Sequence, residues 1–262
     1  MKIFPALLFV ALLAASAPAC ANQMARTAPP VPLTKEKIAQ LQKEVEGQPA
    51  GKRIAFWAEK FIGTPYDKDP LGAYVSCRKI VCDSEVDCMY LVFRAVELGT
   101  SNTPDEAKER ALDLRFKTRG MVEGGLVVNY DERFDYAEDM VYSGKWGKDI
   151  TSSLGETRQA PGSRGHETVT YLPKEELSKK EDYGKLQDGD IIFFIKDPAR
   201  RVVGEIVGHL GIIKVEGGVP MLIHASGTKR ANGRPGGGVV KKVSLPDYLK
   251  DTKFIGVMVT RF

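Results

Sequence analysis

Three side chains in this sequence, Cys88, His209 and His224, have the types and settings needed for a nucleophile served by a proton carrier. A free thiol ionises near pH ~8.5, so little of it is nucleophilic at neutral pH unless a helix N-terminus or an imidazole favours the anion. Cys88 opens an apolar helical repeat, Cys88, Leu91, Val92, Ala95 and Val96, with Gly99 as its stop. That places the thiol in a first turn, at the positive end of the helix dipole. His209 begins the run His-Leu-Gly-Ile-Ile, and His224 lies within Leu-Ile-His-Ala-Ser. Both runs have strand character, and Glu216-Gly217-Gly218 between them is a hairpin signal. A single strand histidine is more often a hydrogen-bonded core residue than a catalyst. Two on adjacent strands, together with a cysteine at a helix start, form a set. His209 is expected to take the Cys88 proton and return it to a leaving amine. His224 is expected to bond the far nitrogen of His209 and fix its tautomer, as a carboxylate or Asn does in other triads. On this reading Cys88 is partly thiolate at neutral pH and alkylates faster than an ordinary thiol. His166 falls in a Gly-rich, weakly patterned stretch and is expected to be a solvated loop residue.

The elements that must hold these residues fall into two groups. Residues 34–46 place Ile38, Leu41 and Val45 on one helical face, and residues 52–62 do the same with Ile54, Trp57, Ala58 and Phe61. Trp57 is expected in the core. Trp146 is expected either to stack on a sugar or to pack at the surface. Ser84, with Asp87 three residues later, has the spacing of a capping box before the Cys88 helix. Thr103-Pro104 starts a further helix that runs to about Lys117. Residues 121–185 lose any clear period and are expected to be irregular, with short helices or strands. Strand signals then recur at 191–195, 209–215, 221–225, 239–243 and 254–261. Between two of them, Gly227 to Gly238 is expected to be a loop. Gly236-Gly237-Gly238 lacks the helix and the Lys-Ser or Lys-Thr of a phosphate loop. Helices first and strands second, without βαβ alternation, predict an α+β domain whose helices pack on an antiparallel sheet.

Before this domain the chain of 262 residues carries Lys2, an apolar run over residues 3–15 and small residues up to Ala21. That is the pattern of a secretory signal peptide over residues 1–21, too short to span a membrane. Cleavage is expected after Ala19 or Ala21, which gives an exported, periplasmic protein. The alternative is lipidation of Cys20 and a membrane anchor. Residues 22–34 are Pro-rich and read as a flexible lead-in, leaving 35–262 as one domain, expected to be a monomer. A net charge of +4 makes no case for nucleic acid and is compatible with an anionic wall polymer. In an oxidising compartment Cys77 and Cys82 are the natural disulfide pair, leaving Cys88 free. Their spacing matches no zinc site, and neither a metal nor any other cofactor is expected.

Asp87-Cys88 at a helix start, Gly208-His209-Leu210-Gly211-Ile212 on a strand and His224-Ala225-Ser226 on the next resemble the NlpC-type branch of papain-like cysteine hydrolases, which cut bacterial cell walls. Gly63-Thr64-Pro65-Tyr66 matches the same superfamily, whose Tyr points its hydroxyl into the catalytic site. Within it the chain is most similar to the N-acetylmuramoyl-L-alanine amidase-like family. That similarity includes Arg133-Phe134-Asp135-Tyr136, Asp149-Ile150-Thr151 and the ending Gly256-Val257-Met258-Val259-Thr260-Arg261. The resemblance implies a papain-like NlpC-type fold and hydrolysis of the amide between N-acetylmuramic acid and L-Ala in peptidoglycan or muropeptides. It also implies substrate-side roles for Tyr66, Asp87, Arg133, Tyr136 and Ser226, with Arg133 and Tyr136 on the sugar side. Asp135 stands where the family usually has His, and Met140 where it usually has Trp. Other functions compatible with these residues are an endopeptidase cutting between D-Glu and a diamino acid, a wall-binding protein with a vestigial triad, and an acyltransferase acting on lipids. Lys229, Arg230 and Arg234 are expected to be a solvated face, or else to meet a substrate carboxylate.

Overall fold

The computed structural model describes residues 33–229 and 235–262. The leader, Cys20 and most of the lead-in, together with Arg230 and Arg234, lie outside them. The predicted helical repeats form α1 (Lys35–Glu44) and α2 (Ala50–Lys60). After a single turn, α3 (Ala73–Ser76), come α4 (Cys88–Gly99) and α5 (Pro104–Leu114). Thr34 and Thr103 cap α1 and α5 through their hydroxyls, which accept from the amides of Lys37 and Glu106.

The weakly patterned segment is built from many short elements. They are the hairpin β1 (Val122–Glu123) and β2 (Leu126–Val127), then α6 (Ala137–Tyr142), β3 (Lys148–Asp149) and α7 (Thr151–Leu154). A second hairpin, β4 (Arg158–Pro161) and β5 (Thr168–Pro173), leads into the single turns α8 (Lys174–Leu177) and α9 (Lys180–Tyr183). Elements this short do not repeat long enough to display a period. The C-terminal part supplies β6 (Ile191–Ile195), β7 (Val207–Glu216), β8 (Val219–Lys229), β9 (Pro235–Ser244), α10 (Leu245–Asp251) and β10 (Gly256–Arg261).

The result is an α+β architecture. The main sheet runs in the order β4-β5-β10-β6-β7-β8-β9, with β3 also on β10 and every pairing antiparallel. Both faces of its centre are covered, which explains the unbroken apolar run Ile-Ile-Phe-Phe-Ile of β6. Ile191, Phe193 and Ile195 face a large core shared with α2 and α4, whereas Ile192 and Phe194 face a smaller one closed by Leu154, Leu177, Leu245 and Leu249. Trp57 is buried in the larger core, as expected.

Several expectations are corrected here. The Gly227 to Gly238 stretch is not simply a loop, because β8 and β9 extend far into it and pair from Met221↔Ser244 to Lys229↔Pro235. Three backbone bonds to residues 63–66 hold it: the Gly63 and Tyr66 amides donate to the carbonyls of Val240 and Gly238, and the Val240 amide donates to the Thr64 carbonyl. Trp146 is neither a stacking platform nor a surface residue; it is 0% exposed, tilted against Phe93 at 4.9 Å, and its indole donates to the Leu114 carbonyl. Cys77 and Cys82 form no disulfide. Cys77 ends α3 exposed to solvent, whereas Cys82 packs against the core and its amide is held by the Tyr90 hydroxyl. His166 lies in the loop between β4 and β5, as expected, but is partly covered there, stacked on Tyr142 at 4.1 Å with its Nε2 3.8 Å from Asp139.

The helix α4 is not amphipathic in its setting, since every residue from Tyr90 to Gly99 is buried. Two of these are charged. Arg94 makes a bidentate pair with Asp83 (2.7 and 2.9 Å) and a bond to Glu97 (3.0 Å), and Arg115 from the end of α5 grips Glu97 at 2.5 and 2.7 Å. The Arg115 guanidinium also lies over the rings of Tyr90 (4.8 Å) and Phe93 (5.3 Å). This network ties the loop before Cys88, α4 and α5 into one unit.

Candidate active site

Helix α4 begins at Cys88 because Asp87 leaves the helix in an extended conformation while its carboxylate accepts from the Tyr90 amide at 2.7 Å. Asp87 is thus the cap itself, and Ser84, three residues upstream and exposed, is not. Its carboxylate is occupied by the helix rather than offered to a substrate. Cys88 becomes the first helical residue, with first-turn amides unused by the helix around its sulfur.

The histidines are brought to Cys88 by a split in the sheet. β7 and β8 are in register only from Glu216↔Val219 to Ile212↔Ile223. Past that point β7 pairs with β6 alone and β8 with β9. His209 and His224 stand where the strands part. His209 Nε2 lies 2.8 Å from His224 Nδ1, with the rings nearly perpendicular. Gly211 makes this approach possible. A Cβ there would fall 2.6 Å from the Ile223 carbonyl oxygen and 3.2 Å from the His224 Cβ. Gly211→Ala is therefore expected to destabilise the fold by about 1–3 kcal/mol through overpacking. It should also displace His224 from His209, so that hydrolysis falls further than the melting temperature alone explains. Thermal denaturation and turnover measured on the same preparation check this.

Cys88 and His209 open onto one cleft of about 270 Å³, whose walls include Met89, Asp135, Tyr136, Val203 and Glu205. Of the residues expected on the substrate side, Tyr136 lines this cleft, with one face of its ring covered by the Arg164 guanidinium at 3.3 Å. Arg133 stands behind the wall: it donates to the Tyr130 carbonyl and pairs with Asp135 at 2.8 Å, so its charge is already used. Tyr66 is half-buried, and its ring lies directly on the Gly227 backbone, where a Cβ would come within 2.7 Å of it. Burial, then the nearby Cys88 and Asp87, push its hydroxyl well above the usual range and keep it a donor. Ser226 is on β8, two residues beyond His224 and therefore on the same face. The opposite wall is fixed by the buried Glu138, whose carboxylate accepts from the amides of Ile206 and Val207 at the start of β7. Among the described residues no cluster of three or more His, Cys, Asp or Glu could hold a metal ion.

No protein-family model and no curated protein matches the chain. Solved structures do. An N-acetylmuramoyl-L-alanine amidase from Bacteroides uniformis superposes with a TM-score of 0.60 at 23% identity, covering 81% of this chain and 98% of that one. Protein LPG0564 from Legionella pneumophila superposes with a TM-score of 0.64 at 19% identity, covering 86% and 93%. The chain shares their fold. At these identities the fold is what is shared, and the chemistry must be argued from the side chains present here.

Those side chains form an electrically neutral pair at rest. Burial, then the Asp87 carboxylate, push the Cys88 thiol up to about 12, against a smaller opposing effect of the Leu210, Cys88 and Met89 amides. Burial, then Lys241, push His209 down to about 4, and burial, His209 and Lys241 push His224 down to about 3. The thiolate expected from the helix dipole is thus outweighed by desolvation. Residues that the sequence did not point to are the Leu210 amide, Glu205, Lys241 and Tyr248. Lys241 pairs directly with His224 across β8 and β9. Tyr248 packs on both histidines from α10. The signal for α10 was present as Ser244-Leu245-Pro246-Asp247, a cap followed by a first-turn proline and acid.

Proposed function

We propose that the protein is an exported cysteine hydrolase of the NlpC-type papain-like fold that cleaves the amide between N-acetylmuramic acid and L-Ala. The observation that carries this is Cys88, first residue of a buried helix, in one cleft with His209, whose far nitrogen is bonded to His224 at 2.8 Å. The likeness in fold to the Bacteroides uniformis amidase supports the choice of bond. Export and a periplasmic location rest on the pattern of residues 1–21, with lipidation of Cys20 as the alternative.

In this reading His209 accepts the thiol proton at Nδ1 as the Cys88 sulfur attacks the lactyl carbonyl carbon. The oxyanion is met by the Cys88 amide and the Tyr66 hydroxyl. The C–N bond then breaks, the proton passes from His209 to the departing L-Ala amine, and a thioester to Cys88 remains. Water adds to the thioester carbonyl and gives its proton to His209, and the released sulfur takes that proton back as the carboxylic acid departs. Cys88 and His209 are the reacting groups, and His224 orients His209. Tyr136 and Asp135 contact the substrate.

The neutral resting pair sets the pH dependence. His209 becomes competent as pH rises through about 4, and the thiol keeps its proton to about 12. The acid limb of kcat/KM is therefore expected well below pH 6, with a flat profile through neutrality. Iodoacetamide should label Cys88 at pH 7 more slowly than an unperturbed thiol. A pH-rate profile and a labelling time course followed by mass spectrometry read both.

The test of function is digestion of a disaccharide carrying L-Ala, D-Glu and a diamino acid. Release of the intact peptide beginning with L-Ala, leaving a peptide-free sugar, is the expected result. Recovery of the sugar still bearing L-Ala-D-Glu assigns the protein as an endopeptidase instead. No turnover of either kind removes the enzymatic reading.

A further inference from the structure

His224 is 3% exposed, and its Nε2 is buried without a hydrogen-bond partner among the described residues. Its other ring nitrogen meets His209 Nε2 at 2.8 Å. Two tautomeric arrangements satisfy that contact. In one, His209 carries its proton on Nε2 and donates to His224 Nδ1, so that His209 Nδ1 is a bare base and His224 carries a proton on the buried Nε2. In the other, His224 donates from Nδ1, its Nε2 is a bare lone pair, and His209 carries its proton on Nδ1, where it cannot accept another from a neutral thiol. The hydrogen bond alone does not choose between them.

Tyr248 supplies the difference. It lies on α10, whose start is fixed by Ser244 accepting from the Asp247 amide. Its ring meets the His224 ring at 5.1 Å and 67°, an edge-to-face arrangement, and lies 6.3 Å from His209. Its ring also packs on Phe194 at 5.1 Å. The contacts that Tyr248 makes with the histidine pair are ring contacts. The face of an aromatic ring carries negative charge and accepts an N–H, whereas it repels a nitrogen lone pair.

We infer that Tyr248 is a positioning residue whose ring face accepts the Nε2–H of His224, and thereby selects the tautomer that leaves His209 Nδ1 free to take the Cys88 proton. The inference rests on the role given to His209 above, but its primary readout needs no substrate. The chain has three histidines, so imidazole ¹⁵N–¹H spectra of histidine-labelled protein can be assigned through His166→Gln and His224→Gln variants. The expected result for the native protein is a proton on Nε2 of His224 and on Nε2 of His209, with the His224 Hε2 resonance moved upfield by the Tyr248 ring current. Tyr248→Phe, which keeps the ring, should preserve all three features. Tyr248→Leu should give a mixture of His224 tautomers and lower kcat roughly tenfold or more, with KM little changed. A proton on Nδ1 of His224 in the native protein, or an Hε2 resonance without the upfield shift, overturns the inference even if Tyr248→Leu fails to fold. An unchanged tautomer in a folded Tyr248→Leu also overturns it. Failure of muropeptide digestion with the predicted tautomers intact counts against the proposed substrate and leaves this assignment standing.

Discussion

Cys88→Ala and His209→Ala are each expected to lower turnover of a muropeptide by about a thousandfold or more, and the double variant should be hardly worse than either single one. In the proposed mechanism the two side chains perform one proton-coupled attack: without the sulfur there is no thioester, and without His209 a thiol pushed up to about 12 has no acceptor for its proton. His224→Ala should be milder, since the role proposed for that residue is to orient His209 through their 2.8 Å contact and not to react. Cys88 and His209 line the cleft and are only partly buried, so neither substitution should cost more than about 1–2 kcal/mol of stability. Circular dichroism and melting curves of each variant separate loss of chemistry from loss of fold. Retention of activity in Cys88→Ala would falsify the mechanism outright.

Glu97→Ala is expected to destabilise the protein by about 3–5 kcal/mol, a fall in Tm of roughly 10 °C. Glu97 is 0% exposed and is the carboxylate shared by Arg94 and Arg115. Its removal leaves Arg115 buried with no carboxylate partner and Arg94 with Asp83 alone. Replacing such a network by apolar groups can be neutral, but deleting one member strands a charge in a dry environment. The contrast is Lys250→Ala, which breaks an exposed ion pair with Asp247 and should leave Tm unchanged. Because α4 carries Cys88, Glu97→Ala should also lower kcat below its denaturation midpoint, even though Glu97 does not border the cleft.

The candidate site was legible where a residue's part depends on its own backbone neighbours. Cys88 at a helix start follows from Asp87, whose short carboxylate reaches the Tyr90 amide three residues on, and from the apolar repeat behind it. The histidine strands and the hairpin between them follow from local pattern and the paired glycines at 217 and 218. Even the contact between the two histidines was anticipated, since neighbouring strands bring their same-face side chains together.

Assignments that turned on who packs against whom could not be read in this way. Trp146 presents the same indole to the sequence whether it meets a sugar or, as here, Phe93 and the Leu114 carbonyl. Arg133 reads as a free cation until Asp135, two residues away, is seen to neutralise it. Cys77 and Cys82 are close in sequence, yet one faces solvent while the other packs against the core.

The protonation state of the site is the sharpest case. From residue types and spacing alone, a helix N-terminus and two imidazoles argue for a thiolate. Burial of all three groups, with Lys241 facing the histidines from β9, outweighs that and leaves a neutral pair. Types and spacing specify which groups can exchange a proton. Where the proton rests depends on how much water each group loses, and that is set by the parting of β7 from β8 and by the packing of α4 and α10 against them.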